Sequence, residues 1–435
     1  MAGFWGRKWL VGVGLCLGTV SVAQDLGPPP EFVTIAPDRA RLGQLLFYDP
    51  ILSGNRNISC ATCHHPKFGT SDGVSLSLGE GGIGLGPERR ADPQNPPEQR
   101  IPRNAPALWN LGAQEFNVMF HDGRLEADPD QPGGIRTPLG QDMVSGFSSV
   151  LSAQSMFPVL SPDEMAGHYS ENDVSQAVRQ GLLAQPGGAW DLLAGRIADI
   201  PDYRALFDAT VGAGTAITFP LISDMLAEFI QFEWRADSSP FDLHMRGEVP
   251  ITGAALRGMK LFYGQGNCNS CHAGWFQTDH AFHSIALPQI GPGKAARFES
   301  HARDEGRMRV TGQIGDAYAF RTPSLRNVTL TAPYGHSGAY RDLEAMIRHH
   351  TDPVSGLKAY DISAAILPPL AGVDDTRLRT DADAMAQIAA SNTLAPMALS
   401  NAQIADLIAF LATLEDPAER LGVPGSVPSG LAVDQ

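Results

Sequence analysis

Apolar residues recur at helical spacing in a few separated stretches of this chain, joined by long segments rich in polar residues, glycine and proline. In residues 39–47, Leu42, Leu45 and Leu46 share a helical face, and Asp49-Pro50 ends the run. A related stretch lies in the second half, where Thr252 can cap a helix carrying Leu256, Met259, Leu261 and Phe262. Residues 172–235 read as mostly helical, with breaks at Pro186-Gly187-Gly188 and around Gly212-Ala213-Gly214. Within them, residues 220–232 place Ile222, Met225, Leu226, Phe229 and Ile230 on one face. Residues 236–248 read as a linker. A last helix opens on a capping box of Ser400 and Gln403 and turns Ile404, Leu407, Ile408 and Leu411 inward. Residues 25–36 read as an extended arm, 69–103 carry little regular pattern, and 418–435 form a tail without a signal. The pattern predicts a mainly α protein with long irregular loops.

The two related helices lead, through a loop, to the same five-residue motif: Cys60-Ala61-Thr62-Cys63-His64 and Cys268-Asn269-Ser270-Cys271-His272. C-x-x-C-H is the attachment site of a c-type haem. Two thiols bond to the two vinyl groups of one porphyrin, and the histidine that follows supplies the proximal nitrogen to the iron. A zinc ribbon would set its two C-x-x-C pairs about 15–20 residues apart; here they are roughly 200 residues apart. The repeated helix, loop and motif predict two cytochrome-c-like helical haem domains, over residues 24–240 and 241–435, with two covalently bound haem c groups.

Composition changes the picture at two points. The net charge of −15 argues against nucleic acid as a partner. Arg7 and Lys8 precede an apolar run over residues 9–22, and Ser21-Val22-Ala23 offers a cleavage site. Residues 1–23 therefore read as a signal peptide, too short for an ordinary membrane span. Cys16 would leave with it, so the four remaining cysteines are all motif cysteines. Covalent haem attachment of this kind belongs outside the bacterial cytoplasm, which makes the periplasm the expected location.

With these pieces in place the chain resembles the bacterial di-haem cytochrome c peroxidase family, which includes MauG. The residues carrying the resemblance are Leu42 to Phe47 with Asp49-Pro50 and Leu52-Ser53-Gly54, then Pro102 to Pro106, Asp122-Gly123-Arg124, Glu164-Met165 and Ser239 to Asp242. The strongest block is FRTPSLRNVTLTAPYGHSG, residues 320–338. The resemblance implies an N-terminal peroxidatic haem and a C-terminal haem that relays electrons. It implies a peroxide pocket lined by Gln154, Pro158 and Glu164, in which a carboxylate can move a proton between the peroxide oxygens. It also implies a calcium ion between the haems, held by Asn104, Thr331 and Pro333, an oxygen set suited to that metal. The expected activity is reduction of hydrogen peroxide with electrons from a small periplasmic donor, a cytochrome c or cupredoxin. The alternatives are MauG-like oxidation of Trp or Tyr on a protein substrate and plain electron carriage. A homodimer is a further possibility.

Three departures from the family pattern matter. No histidine lies between His65 and His121, so the loop after the first motif offers no distal ligand, and an open sixth site is expected on the first iron. His65 itself reads as a surface or propionate-side residue. Fourteen residues after His336, where the family has Met or Tyr, stands His350, which reads as the second iron's distal ligand beside its rivals Met346 and His349. At the usual position of an inter-haem Trp stands His121, with Trp109 either a substitute relay or a core residue.

Overall fold

The computed structural model describes residues 26–295, 299 and 301–434. The expected signal peptide lies outside the described residues. The chain is about 40% helix and 6% strand, which places it in the mainly α class. The strands are minimal antiparallel pairings such as Phe282–His283 with Phe320–Arg321, and they pin loops rather than build a layer.

Each half is organised by one helix crossing. Helix Pro37–Tyr48 packs along helix Phe219–Glu233, and helix Gly253–Phe262 packs along helix Asn401–Leu411. A glycine makes each crossing possible. A Cβ on Gly43 would lie 1.9 Å from the Met225 carbonyl oxygen, and one on Gly258 would lie 1.8 Å from that of Asp406. The two glycines occupy the same place in the repeat: Gly43 stands five residues before Tyr48, and Gly258 five before Tyr263. The inward face predicted for residues 220–232 is buried, and around it Phe47, Phe229 and Trp234 meet with ring centroids 5.1–5.2 Å apart. Ser400 and Gln403 form the expected capping box, whereas Thr252 sits at its N-cap without a side-chain cap bond.

Two stretches differ from their sequence reading. Residues 236–248 are no open linker. They contain helix Pro240–Met245, with Phe241 buried and Asp242 both capping the helix through Ser239 and ion-paired to buried Arg326. The tail is not idle either. Val427 is buried in the first half's core, Glu233 accepts hydrogen bonds from the backbone of Arg420, Leu421 and Gly422, and Ser429 donates to Asp49 at 2.6 Å. The Asp434 carboxylate accepts from Thr62 Oγ1 within the first motif. Leu26, from the opposite end, is buried in the second half's core, and Trp275 Nε1 donates to the Gly27 carbonyl at 3.2 Å. Among the described residues no helix is long and apolar enough to cross a membrane.

Candidate active site

The first motif forms the short helix Cys60–Cys63, started by reciprocal bonds between Ser59 and Thr62. His64 caps its C-terminus. The His64 Nδ1–H donates to the Thr70 carbonyl at 3.1 Å, which fixes the tautomer and leaves Nε2 as the ligating nitrogen. Cys60, Cys63 and His64 line a cavity of ≈ 1170 Å³, counted out to its mouth. Gln154, Pro158 and Glu164 line the same cavity, so all three residues expected around peroxide share one space with the first motif.

Local structure explains how they meet. Gln154 comes from helix Val150–Ser155, Pro158 starts the turn Pro158–Leu160, and Glu164 sits in the single wide turn Pro162–Ala166. Gln154 Oε1 is buried without a hydrogen-bond partner among the described residues. Burial pushes the Glu164 carboxyl above the ordinary carboxylate range, while Arg124 and Lys294 oppose the shift.

The cysteines lack the electrostatics of a redox pair. A reactive C-x-x-C thiol has a depressed pKa, but burial pushes Cys60 and Cys63 up to about 12 and Cys268 to about 11.

In the second half, His272 repeats the pattern of His64: its Nδ1–H donates to the Gln277 carbonyl at 3.0 Å. His350 faces it, with ring centroids 6.4 Å apart, and donates its own Nδ1–H to the Met346 carbonyl at 2.9 Å. An imidazole nitrogen sits about 2.0 Å from a bound metal and about 1.2 Å from its ring centre, so two imidazoles on opposite sides of one metal put their centroids roughly 6.4 Å apart. The observed spacing has room for one iron between two Nε2 atoms. Burial holds both imidazoles neutral, His272 down to about 4, as metal ligation requires. His349 is otherwise engaged: Nδ1 with the Tyr340 hydroxyl at 2.9 Å, and Nε2 with the Ile285 carbonyl at 2.7 Å.

Between the halves lies a buried charge cluster that sequence reasoning did not find. Arg103 donates twice to Asp304, at 2.7 Å each, and pairs with Asp122 at 2.7 Å. His121 and His336 stand beside it, His121 through Nε2 to the Asn104 carbonyl at 3.0 Å and His336 stacked on Phe320 at 3.7 Å. His65 is buried rather than on the surface, its Nδ1 accepting from the Lys67 backbone. Trp109 is a core residue, bonded to the Gly69 carbonyl.

Comparison with known proteins agrees with this architecture. Residues 37–250 match the model of a family described as di-haem cytochrome c peroxidase. The chain is 30% identical over 328 residues to the methylamine utilization protein MauG of Methylorubrum extorquens, which covers 74% of this chain and 71% of that one. It belongs to the di-haem cytochrome c peroxidase family. A second member, the cytochrome c551 peroxidase of Pseudomonas aeruginosa, is 29% identical and covers 73% of this chain and 74% of its own. A crystal structure of a MauG-like protein associated with microbial copper homeostasis superposes with a TM-score of 0.58 at 26% identity, over 89% of this chain and 93% of that one. Di-haem cytochrome c peroxidases carry two haem c groups, and the two C-x-x-C-H motifs match that number.

The three residues expected around calcium are less defined. The Asn104 Nδ2 donates to the Val74 carbonyl at 2.8 Å, and its backbone N–H to that of His336 at 2.9 Å, which places it against the loop that contains Thr331 and Pro333. Among the described residues no hydrogen bond joins Asn104 to Thr331 or Pro333.

Proposed function

We propose that the protein is a periplasmic di-haem peroxidase that reduces hydrogen peroxide to water, with electrons from a small cytochrome c or cupredoxin. The observation that carries this reading is the convergence of Gln154, Pro158 and Glu164 on the cavity of the first C-x-x-C-H motif. Cys60, Cys63 and His64 would hold the first haem, and Cys268, Cys271, His272 and His350 the second. A haem held there would supply, when bound, a place for peroxide and a conduit for the two electrons that break the O–O bond. Glu164 takes the proton from the inner peroxide oxygen and returns it to the outer one, which leaves as water; a second water needs two protons from solvent. Gln154 orients the outer oxygen, and Pro158 keeps competing donors out of the pocket. Asn104, Thr331 and Pro333 would hold a calcium ion between the halves.

A second reading directs the oxidising equivalents to a Trp or Tyr of a partner protein. The absence of a distal histidine after the first motif and of methionine at the position of His350 favours it. Peroxide added to the diferric protein should shift its Soret band within milliseconds to seconds under either reading, whereas a plain electron carrier stays unchanged. Steady oxidation of reduced cytochrome c then selects the peroxidase; none selects protein oxidation.

A further inference from the structure

The cavity of Glu164 also receives a side chain from the other half of the molecule. Lys294 lines it, carried on the irregular segment that follows buried Ile290. That segment is anchored. Gly291 N–H donates to the Asp375 carbonyl at 3.0 Å. Gln289 clasps the Asp304 backbone twice, donating to its carbonyl at 2.6 Å and accepting from its N–H at 3.1 Å.

The surrounding charges give this ammonium a particular weight. Arg103 is shared by Asp304 and Asp122, and Arg124 pairs with Asp122 while lying 3.6 Å from the centre of the Phe120 ring. Two guanidinium groups thus face two carboxylates, and Lys294 brings a further amine to the cavity that Glu164 lines. Burial, with Arg124 and Arg103, pushes its amine down to about 8, against the pull of Asp304 and Asp122. The charged groups that face Glu164 are Arg124 and Lys294, which favour its ionised form, and Asp163, which opposes it; the Cys63 sulfur is nearby and is uncharged once in a thioether.

We propose that Lys294 is a positioning residue for the peroxide reaction: presented by the second half, its ammonium holds the Glu164 carboxyl in the ionised form that accepts the peroxide proton. The proposal rests on Glu164 as proton carrier. It makes the protonation state at the first haem depend on how the second half is seated.

The test uses the haem-loaded protein with Lys294→Gln and Lys294→Arg. Two pH profiles are recorded: the cyanide affinity of the ferric protein, since cyanide enters as a neutral acid and needs a base for its proton, and the rate of the Soret change with peroxide. Lys294→Gln should move the low-pH fall of both profiles upward by about one pH unit, and Lys294→Arg should leave it in place. An unmoved profile in Lys294→Gln overturns the proposal. So does a changed reduction potential of the first haem with an unmoved profile, which would assign Lys294 to a porphyrin carboxylate. So, too, does a Lys294→Gln shift that persists in a Glu164→Gln background. If Glu164→Gln alone leaves the low-pH fall intact, the proton-carrier reading itself fails, which is a separate result.

Discussion

Arg103 offers a perturbation whose size can be worked through. Its side chain is 7% exposed, and those of Asp122 and Asp304 are 4% and 3%. Burial alone would raise the Asp304 carboxyl; the charge and paired hydrogen bonds of Arg103 reverse this and hold it well below the ordinary range, and Asp122 falls to about 2. Arg103→Met keeps the aliphatic stem and removes the charge. Asp122 retains Arg124 at 3.1 Å, whereas among the described residues the Asp304 carboxylate keeps one hydrogen bond, from the Gly306 N–H at 3.1 Å. Breaking such a buried pair costs about 3–5 kcal/mol. Protonation sets a ceiling. Taking up a proton at pH 7, against an unfolded pKa of about 3.9, costs about 4 kcal/mol, and the cost falls by about 1.4 kcal/mol per pH unit. In the native protein the depressed carboxylates contribute stability that is present above the unfolded pKa and lost as pH falls through their folded values. In the variant Asp304 has a raised pKa, and its penalty grows as pH rises above about 4. Guanidinium denaturation followed by circular dichroism should therefore show a loss about 2–3 kcal/mol greater at pH 7 than at pH 5. Arg103→Met/Asp304→Asn should abolish that difference. An equal loss at both pH values would mean that Asp304 stays hydrated without Arg103, and the reasoning would fail.

Three further outcomes are expected. Glu164→Gln should slow the Soret change with peroxide by about 10²–10⁴-fold; in the native protein, because burial raises the Glu164 pKa, the rate should fall as pH drops through a midpoint above the ordinary carboxylate range. His350→Gly should convert the second haem from low to high spin by electron paramagnetic resonance, and an unaltered spectrum would return the ligand to Met346. Gly258→Ala should destabilise the second half by about 1–3 kcal/mol, because its methyl would meet the Asp406 carbonyl at 1.8 Å; an unchanged denaturation midpoint would show that the crossing yields without strain.

Much of this molecule could be read from local pattern. The four main helices announce themselves by period and capping, and the two motifs by spacing. His349 and His350 could not be ranked by periodicity alone: what separates them is that Tyr340 and Ile285 occupy both nitrogens of His349, whereas His350 is bonded through Nδ1 to the Met346 carbonyl. Lys294 and the Arg103–Asp304 pair join residues far apart in the chain, and a solitary lysine among glycines carries no local mark. The tail escaped notice because Leu421, Val423, Val427, Leu431 and Val433 pack as an irregular extended strip, with neither a period of two nor one of 3.6. The run at 236–248 looked like a linker because its helix is only six residues long and is held by Arg326, more than eighty positions onward.

The crossed termini bear on the order of assembly. Leu26 completes the second core and Val427 the first, so either half cut from the chain would expose the seat of its missing strap. Synthesis runs from the N-terminus, and Asp434, which reaches Thr62, is made 372 positions after it. Until residues 420–434 are made, Thr62, between the two cysteines of the first motif, lacks its Asp434 partner and the first core lacks Val427.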